Sequence, residues 1–166
     1  MIIVASRVAI LAALCLSGVA CNKTDSAATD AQKKADVLTG DAAGSAATNP
    51  HCKLFTTDEV ATYEGVAVAP GKNAAMGTGC QWTDKVGGNS AMVQIVGAGD
   101  HAPASEATGF KELPDVGKDG FIVPQMGGWQ AAAISGDKSI NVLTGGKSDE
   151  AKTVAFLKEA IKRSGG

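Results

Sequence analysis

Between Asn22 and Pro50 the chain offers a hydrophobic core nothing larger than Val37 and Leu38, and no aromatic residue at all. A stretch dominated by alanine, serine, threonine and aspartate cannot bury enough apolar surface to offset the entropy lost on ordering. Whatever folds must therefore fold from about His51 onward. Asn49-Pro50 marks the boundary, because the residue before a proline is driven toward extended backbone. The preceding segment reads as a flexible tether. As a coil, residues 22–50 span about 30 Å root-mean-square, and the alanines allow a transient exposed helix over Ser26 to Leu38. Material for a core is modest beyond the boundary too: of 166 residues only 4% are aromatic, while 21 are glycine.

Upstream of the tether, Arg7 supplies a positive charge, Val8 to Leu16 is an apolar run, and Ser17-Gly18-Val19-Ala20 leads to Cys21. This is the pattern of an export signal. A membrane span takes about 20 apolar residues, and Val8 to Ala20 is only 13 residues long, so a retained single-pass anchor is the less favoured alternative. Gly18-Val19-Ala20-Cys21 resembles the lipobox of bacterial lipoproteins, with Gly18 where that class prefers leucine. The resemblance implies that residues 1–20 are removed and that the Cys21 thiol carries a diacylglyceryl group. Residues 21–50 then become the lipidated cysteine and its tether, and the membrane is a partner through that lipid. Asn22 in place of aspartate resembles lipoproteins not kept at an inner membrane. The expected location is the bacterial cell envelope, at the outer membrane where the cell has one.

The same resemblance settles the cysteines. Cys15 leaves with the signal and Cys21 takes the lipid, so Cys52 and Cys80 remain as an even pair in an oxidising compartment, and a disulfide between them is expected. It would close a separation of 28 residues, worth about 3.6 kcal/mol if the effect is loss of chain entropy. That is large beside a typical stability of about 5–15 kcal/mol. The alternative use of these thiols is a metal site with His51 and His101. The spacings match no zinc pattern, and exported thiols oxidise. No metal and no cofactor is expected. Without Arg7 the mature chain has 14 basic and 17 acidic side chains, and no basic cluster exceeds Lys33-Lys34. Nucleic acid, which requires a basic patch, is not an expected partner.

Within residues 51–166, Phe55-Thr56-Thr57-Asp58-Glu59-Val60 opens a helix, with Thr56 as N-cap, Glu59 closing a capping box and Phe55 and Val60 as its hydrophobic staple. Gly65 ends it. Strands are expected at Val66–Ala69, Thr78–Thr83 and Ala91–Val96, the last alternating with period two. Asp84 to Asn89 is a turn, and Pro103 to Leu113 is read as a short irregular helix. Further strands are expected at Gly120–Pro124, Trp129–Ser135 and Ser139–Leu143, with Gly136-Asp137 as a hairpin turn. A final helix from Asp149 to Lys162 is read with Ser148 as N-cap and with Ala151, Val154, Leu157 and Ile161 on one face. The order predicts an α+β fold: a mainly antiparallel sheet of about five or six strands, N- and C-terminal helices packed on one face, and one disulfide.

CKLFTTDEVATYEG, GTGCQWTD and LPDVGKDGFIVPQ, followed by a hairpin and a last helix, resemble a family of uncharacterised secreted bacterial lipoprotein domains. The likeness runs over residues 51–163. It implies this fold and the Cys52–Cys80 disulfide; that family has no agreed activity.

Motifs that would carry chemistry are weak. Thr144-Gly145-Gly146-Lys147-Ser148 looks like part of a phosphate-binding loop, yet Asn141 stands where the leading glycine is required. Gly97-Ala98-Gly99-Asp100 reads as a turn. His51 and His101 are the only imidazole bases, and no nucleophile motif accompanies them. Asp58 and Glu59 are explained as helix N-terminal charges. Trp82 and Trp129 are the candidate ligand contacts, with core or edge packing as the alternative for both. The expectation is thus a lipid-anchored envelope protein with a non-enzymatic binding, sensing or accessory domain and no catalytic residue. It would act on a small molecule or an envelope protein through its sheet face or the loops around Gly99–Pro114 and Pro124–Trp129. A structural envelope protein with protein or cell-wall contacts only is the second reading, and an exported hydrolase the third.

Overall fold

The computed structural model describes residues 46–165. The export signal expected at 1–20, the lipidation expected at Cys21 and the helix expected over Ser26–Leu38 lie outside the described residues. The capping box forms as the residues dictate. Glu59 N–H donates to Thr56 Oγ1 at 3.3 Å, and Thr56 N–H donates to the Glu59 carboxylate at 2.8 Å. Helix α1 (Thr57–Glu64) follows and stops at Gly65, which turns left-handed at φ 74°.

Seven strands then build one sheet: β1 (Lys72–Ala74), β2 (Gly79–Thr83), β3 (Ser90–Gly97), β4 (Lys111–Glu112), β5 (Lys118–Gln125), β6 (Gly128–Ser135) and β7 (Lys138–Thr144). Their order across the sheet is β1-β2-β3-β7-β6-β5-β4, antiparallel at every pair. Helix α2 (Glu150–Arg163) closes the chain. The fold is α+β with one disulfide, but with seven strands where five or six were expected. The two short edge strands account for the difference.

The register shows why the core lies where it does. Val93 faces Val142, Val142 faces Ala131, and Ala131 faces Ile122, so one face of four strands is apolar. Val60 of α1 and Phe156, Leu157 and Ala160 of α2 pack into this same cluster with Trp82 and Cys80. Ala131 and Ala133 are fully buried, and side chains this small let a helix lie close to the strand beneath it. Cys52 and Cys80 are joined, with Cα atoms 5.0 Å apart, tying the turn at Pro50–Lys53 to β2. A smaller cluster of Phe121, Val123 and Ala132 forms on the opposite face, covered by Ala104 and Phe110.

Four expectations need correction. The strand read at Val66–Ala69 is only a single bridge between Val68 and Asp84. The edge strand begins at Lys72, after Pro70, which has no N–H to pair, and after Gly71, where a Cβ would lie 2.6 Å from Cys80 Sγ. Pro103–Leu113 is not helical: Gly109 turns at φ 80° and the segment ends in β4. The cap of α2 is Asp149, whose carboxylate accepts Lys152 N–H at 2.8 Å, while Ser148 Oγ donates to Tyr63 O at 2.8 Å. Finally, the buried stripe of α2 is Thr153, Phe156, Leu157 and Ala160, and Ala151 is exposed. Phe156 sets that rotation by lodging against Phe55 and Tyr63, each with its ring centroid 4.8 Å away.

Candidate ligand groove

On the sheet face away from the helices, Ala104 and Phe110 of the segment that follows Ala98 pack against Phe121, Val123 and Ala132, and a groove of about 480 Å³ opens between this segment and the turn that leads into β5. Its lining is Pro103, Ser105, Phe110, Glu112, Pro114, Gly117, Asp119 and Gly120. The segment is held down by one histidine. His101 Nε2 lies 3.0 Å from the Asp119 carbonyl, which can only accept, so Nε2 carries the proton. In the neutral ring Nδ1 then accepts the Ser139 hydroxyl of β7 at 2.9 Å. The His101 ring leans on Phe121 at 5.7 Å, and Phe121 stacks on Phe110 at 5.6 Å. An aromatic row thus runs from the pinned histidine to the groove wall.

The other wall is the turn from Leu113 to Gly120. Leu113 N–H donates to Gly120 O at 2.7 Å and Val116 N–H donates to Leu113 O at 3.0 Å. Val116 is buried in the main core and anchors the turn. Glycine is required at two places. A Cβ on Gly117 would lie 2.6 Å from Ile134 O, and one on Gly120 would collide with Val116 O. Asp119 between them adopts a left-handed φ of 52°, which aspartate tolerates better than most residues.

Two carboxylates belong to the lining. Glu112 is exposed and makes no salt bridge among the described residues, and Asp119 meets Lys118 only at 4.0 Å. Lys111, adjacent in sequence, points its ammonium to the helix side and pairs with Glu150 at 2.6 Å. From 100 to 120 the chain carries Asp100, Glu106, Glu112, Asp115 and Asp119 against Lys111 and Lys118. The groove thus has apolar wall at Pro103, Phe110 and Pro114 and two carboxylates, Glu112 and Asp119, in its lining.

The sequence-derived candidates fall elsewhere. Trp82 is 1% exposed and meets Phe55 edge-on at 6.5 Å, inside the main core. Trp129 is half-buried on the helix side, opposite Thr144. Neither lines the groove. Cys52 and Cys80 are consumed in their disulfide, and among the described residues no group of three or more His, Cys, Asp or Glu is placed to hold a metal. His101 and Ser139 do converge, but Ser139 is 3% exposed and the third partner is a main-chain carbonyl. As placed, that pair fastens a loop.

The phosphate-loop look-alike is occupied by the protein itself. Gly145 N–H donates to Glu64 Oε1 at 2.9 Å. The buried Oε2 has no partner among the described residues, and desolvation raises the Glu64 pKa against the lowering effect of that N–H. Of the groove, the sequence marks the stretch Gly99–Pro114 but neither Asp119 nor the aromatic pairing behind it. The Gly-Lys-Asp-Gly run at 117–120 was the available signal. No family model matches the chain, and no curated protein is similar enough to stand beside it as a relative.

Proposed function

We propose that the chain is an exported, lipid-anchored cell-envelope protein whose domain binds a partner or ligand in the groove between residues 103–110 and the 113–120 turn and performs no catalysis itself. One observation carries the binding half: an open groove with apolar walls whose flanking segment is propped by His101, Phe121 and the glycine-locked turn. Support for the anchor half is the Gly18–Cys21 sequence and the tether. Asn49 Nδ2 donates to Asn73 Oδ1 at 2.8 Å and to Gly79 O at 2.9 Å, which fixes the start of the domain at the β1 edge. The groove lies at the β4 edge, six strand spacings or about 29 Å across the sheet.

The structural reading draws on a different feature: Met76, Val86 and Met126 are 85%, 89% and 95% exposed at turn tips. Against the hydrolase reading stands the burial of Ser139. A photoreactive phenylalanine analogue placed at Phe110, with Met126 and Lys158 as comparison positions, distinguishes these in the native membrane. The binding reading expects a discrete adduct from position 110 and none from 158. Adducts confined to position 126, or identical at all three, would refute it.

A further inference from the structure

The lining of the groove narrows what it takes. We infer that its occupant is an extended peptide segment of a partner protein that places a lysine or arginine side chain between Phe110 and the carboxylates of Glu112 and Asp119; this rests on the groove being the binding site. The first support is the match of surface to side chain. Lysine and arginine combine an apolar stem with a charged head. Phe110, Pro103 and Pro114 supply apolar wall for the stem and an aromatic ring for the cation, while the carboxylates supply its counter-charge.

The second support is that the counter-charge is not already satisfied from within. Glu112 makes no salt bridge among the described residues, Lys118 reaches Asp119 only at 4.0 Å, and Lys111 is committed to Glu150. An anionic ligand would meet repulsion from the same groups.

The third support points to a peptide rather than a free amine. Strand β4 is the last in the sheet. Leu113 N–H pairs inward with Gly120 O, so by the alternation of an antiparallel pair Glu112 turns its own N–H and C=O away from β5. A segment added along that edge would take both groups and bring alternate side chains to the groove, the usual route by which sheet edges recognise extended peptides.

The test uses the full chain in detergent, ¹⁵N-labelled, and three probes: acetyl-Ala-Val-Lys-Val-Ala-amide, its Glu counterpart, and n-butylamine. The lysine peptide is expected to shift the amides of Glu112, Gly117 and Gly120 and to bind about tenfold tighter than the glutamate peptide, with Glu112→Gln removing about that tenfold. Glu112 is exposed, so an unchanged thermal melt shows that the variant keeps its fold. Equal binding of the two peptides at the groove would overturn the cation assignment and leave the groove reading standing. Equal binding of n-butylamine and the lysine peptide would overturn the peptide assignment. Silence of the groove amides with every probe would overturn the inference outright, and the adduct at position 110 then judges the groove separately.

Discussion

Glu64 ends α1 fully buried, with one carboxylate oxygen on Gly145 N–H and the other unpartnered among the described residues. Desolvation raises its pKa, and the charge of Asp84 adds to that. A carboxyl whose folded pKa lies above its unfolded one favours folding at low pH and loses that contribution as pH rises through the raised value. Glu64→Gln keeps the acceptor for Gly145 and removes the charge. It is expected to be more stable than the parent at pH 7, with the advantage vanishing below about pH 4; urea unfolding midpoints at the two pH values check this. Nothing near position 64 in sequence announces such a role, since the loop it holds lies 81 residues away. The groove is hidden for the same reason: His101 and Ser139 are 38 residues apart. Single residues show their type in a sequence, but not the company they keep.

At the level of elements, the junction of α1 and α2 is built around Arg163. Its guanidinium donates to Leu54 O at 2.7 Å, to Glu59 at 2.8 Å and to Glu159 at 2.7 Å, and lies 4.6 Å from the Phe55 ring centroid. Hydrogen bonds from Arg163, and then from Thr56 N–H, lower the Glu59 pKa to about 2. The sign is opposite to that of Glu64: this contribution is present above the ordinary carboxylate range and is lost as pH falls toward 2. Arg163→Met is expected to cost about 1 kcal/mol at neutral pH, allowing for solvent screening at a partly exposed site. The cost should shrink in acid, as thermal melts across pH will show. Elements whose cause is local were legible in the sequence. Thr56 with Glu59, Gly65, and Gly136-Asp137 each act within a few residues. Elements decided by packing were not. The rotation of α2 follows Phe156 into a pocket between Phe55 and Tyr63, and its cap is Asp149 while the Ser148 hydroxyl is turned to Tyr63 O.

For the whole molecule, the disulfide and the single large core divide the work of stability. Cys52–Cys80 fixes the first turn of the domain to β2, and replacing both cysteines by alanine is expected to cost about 3–4 kcal/mol for a closure of this length. Chemical denaturation of the double variant beside the oxidised parent measures it. This pairing was legible because the lipobox resemblance left only two thiols, whereas the sheet order was not, because the return of β7 between β3 and β6 has no local signature. The proposed function depends on one property above the others, that the chain is exported and held to a membrane through Cys21. The direct measurement is the intact mass of the mature protein, with membrane fractionation of Cys21→Ser alongside it. The mature polypeptide is expected to begin at Cys21 and carry a diacylglyceryl lipid, and the serine variant to be neither processed nor retained through lipid. An unmodified Cys21, with membrane partition unchanged by the substitution, would contradict the proposed anchoring.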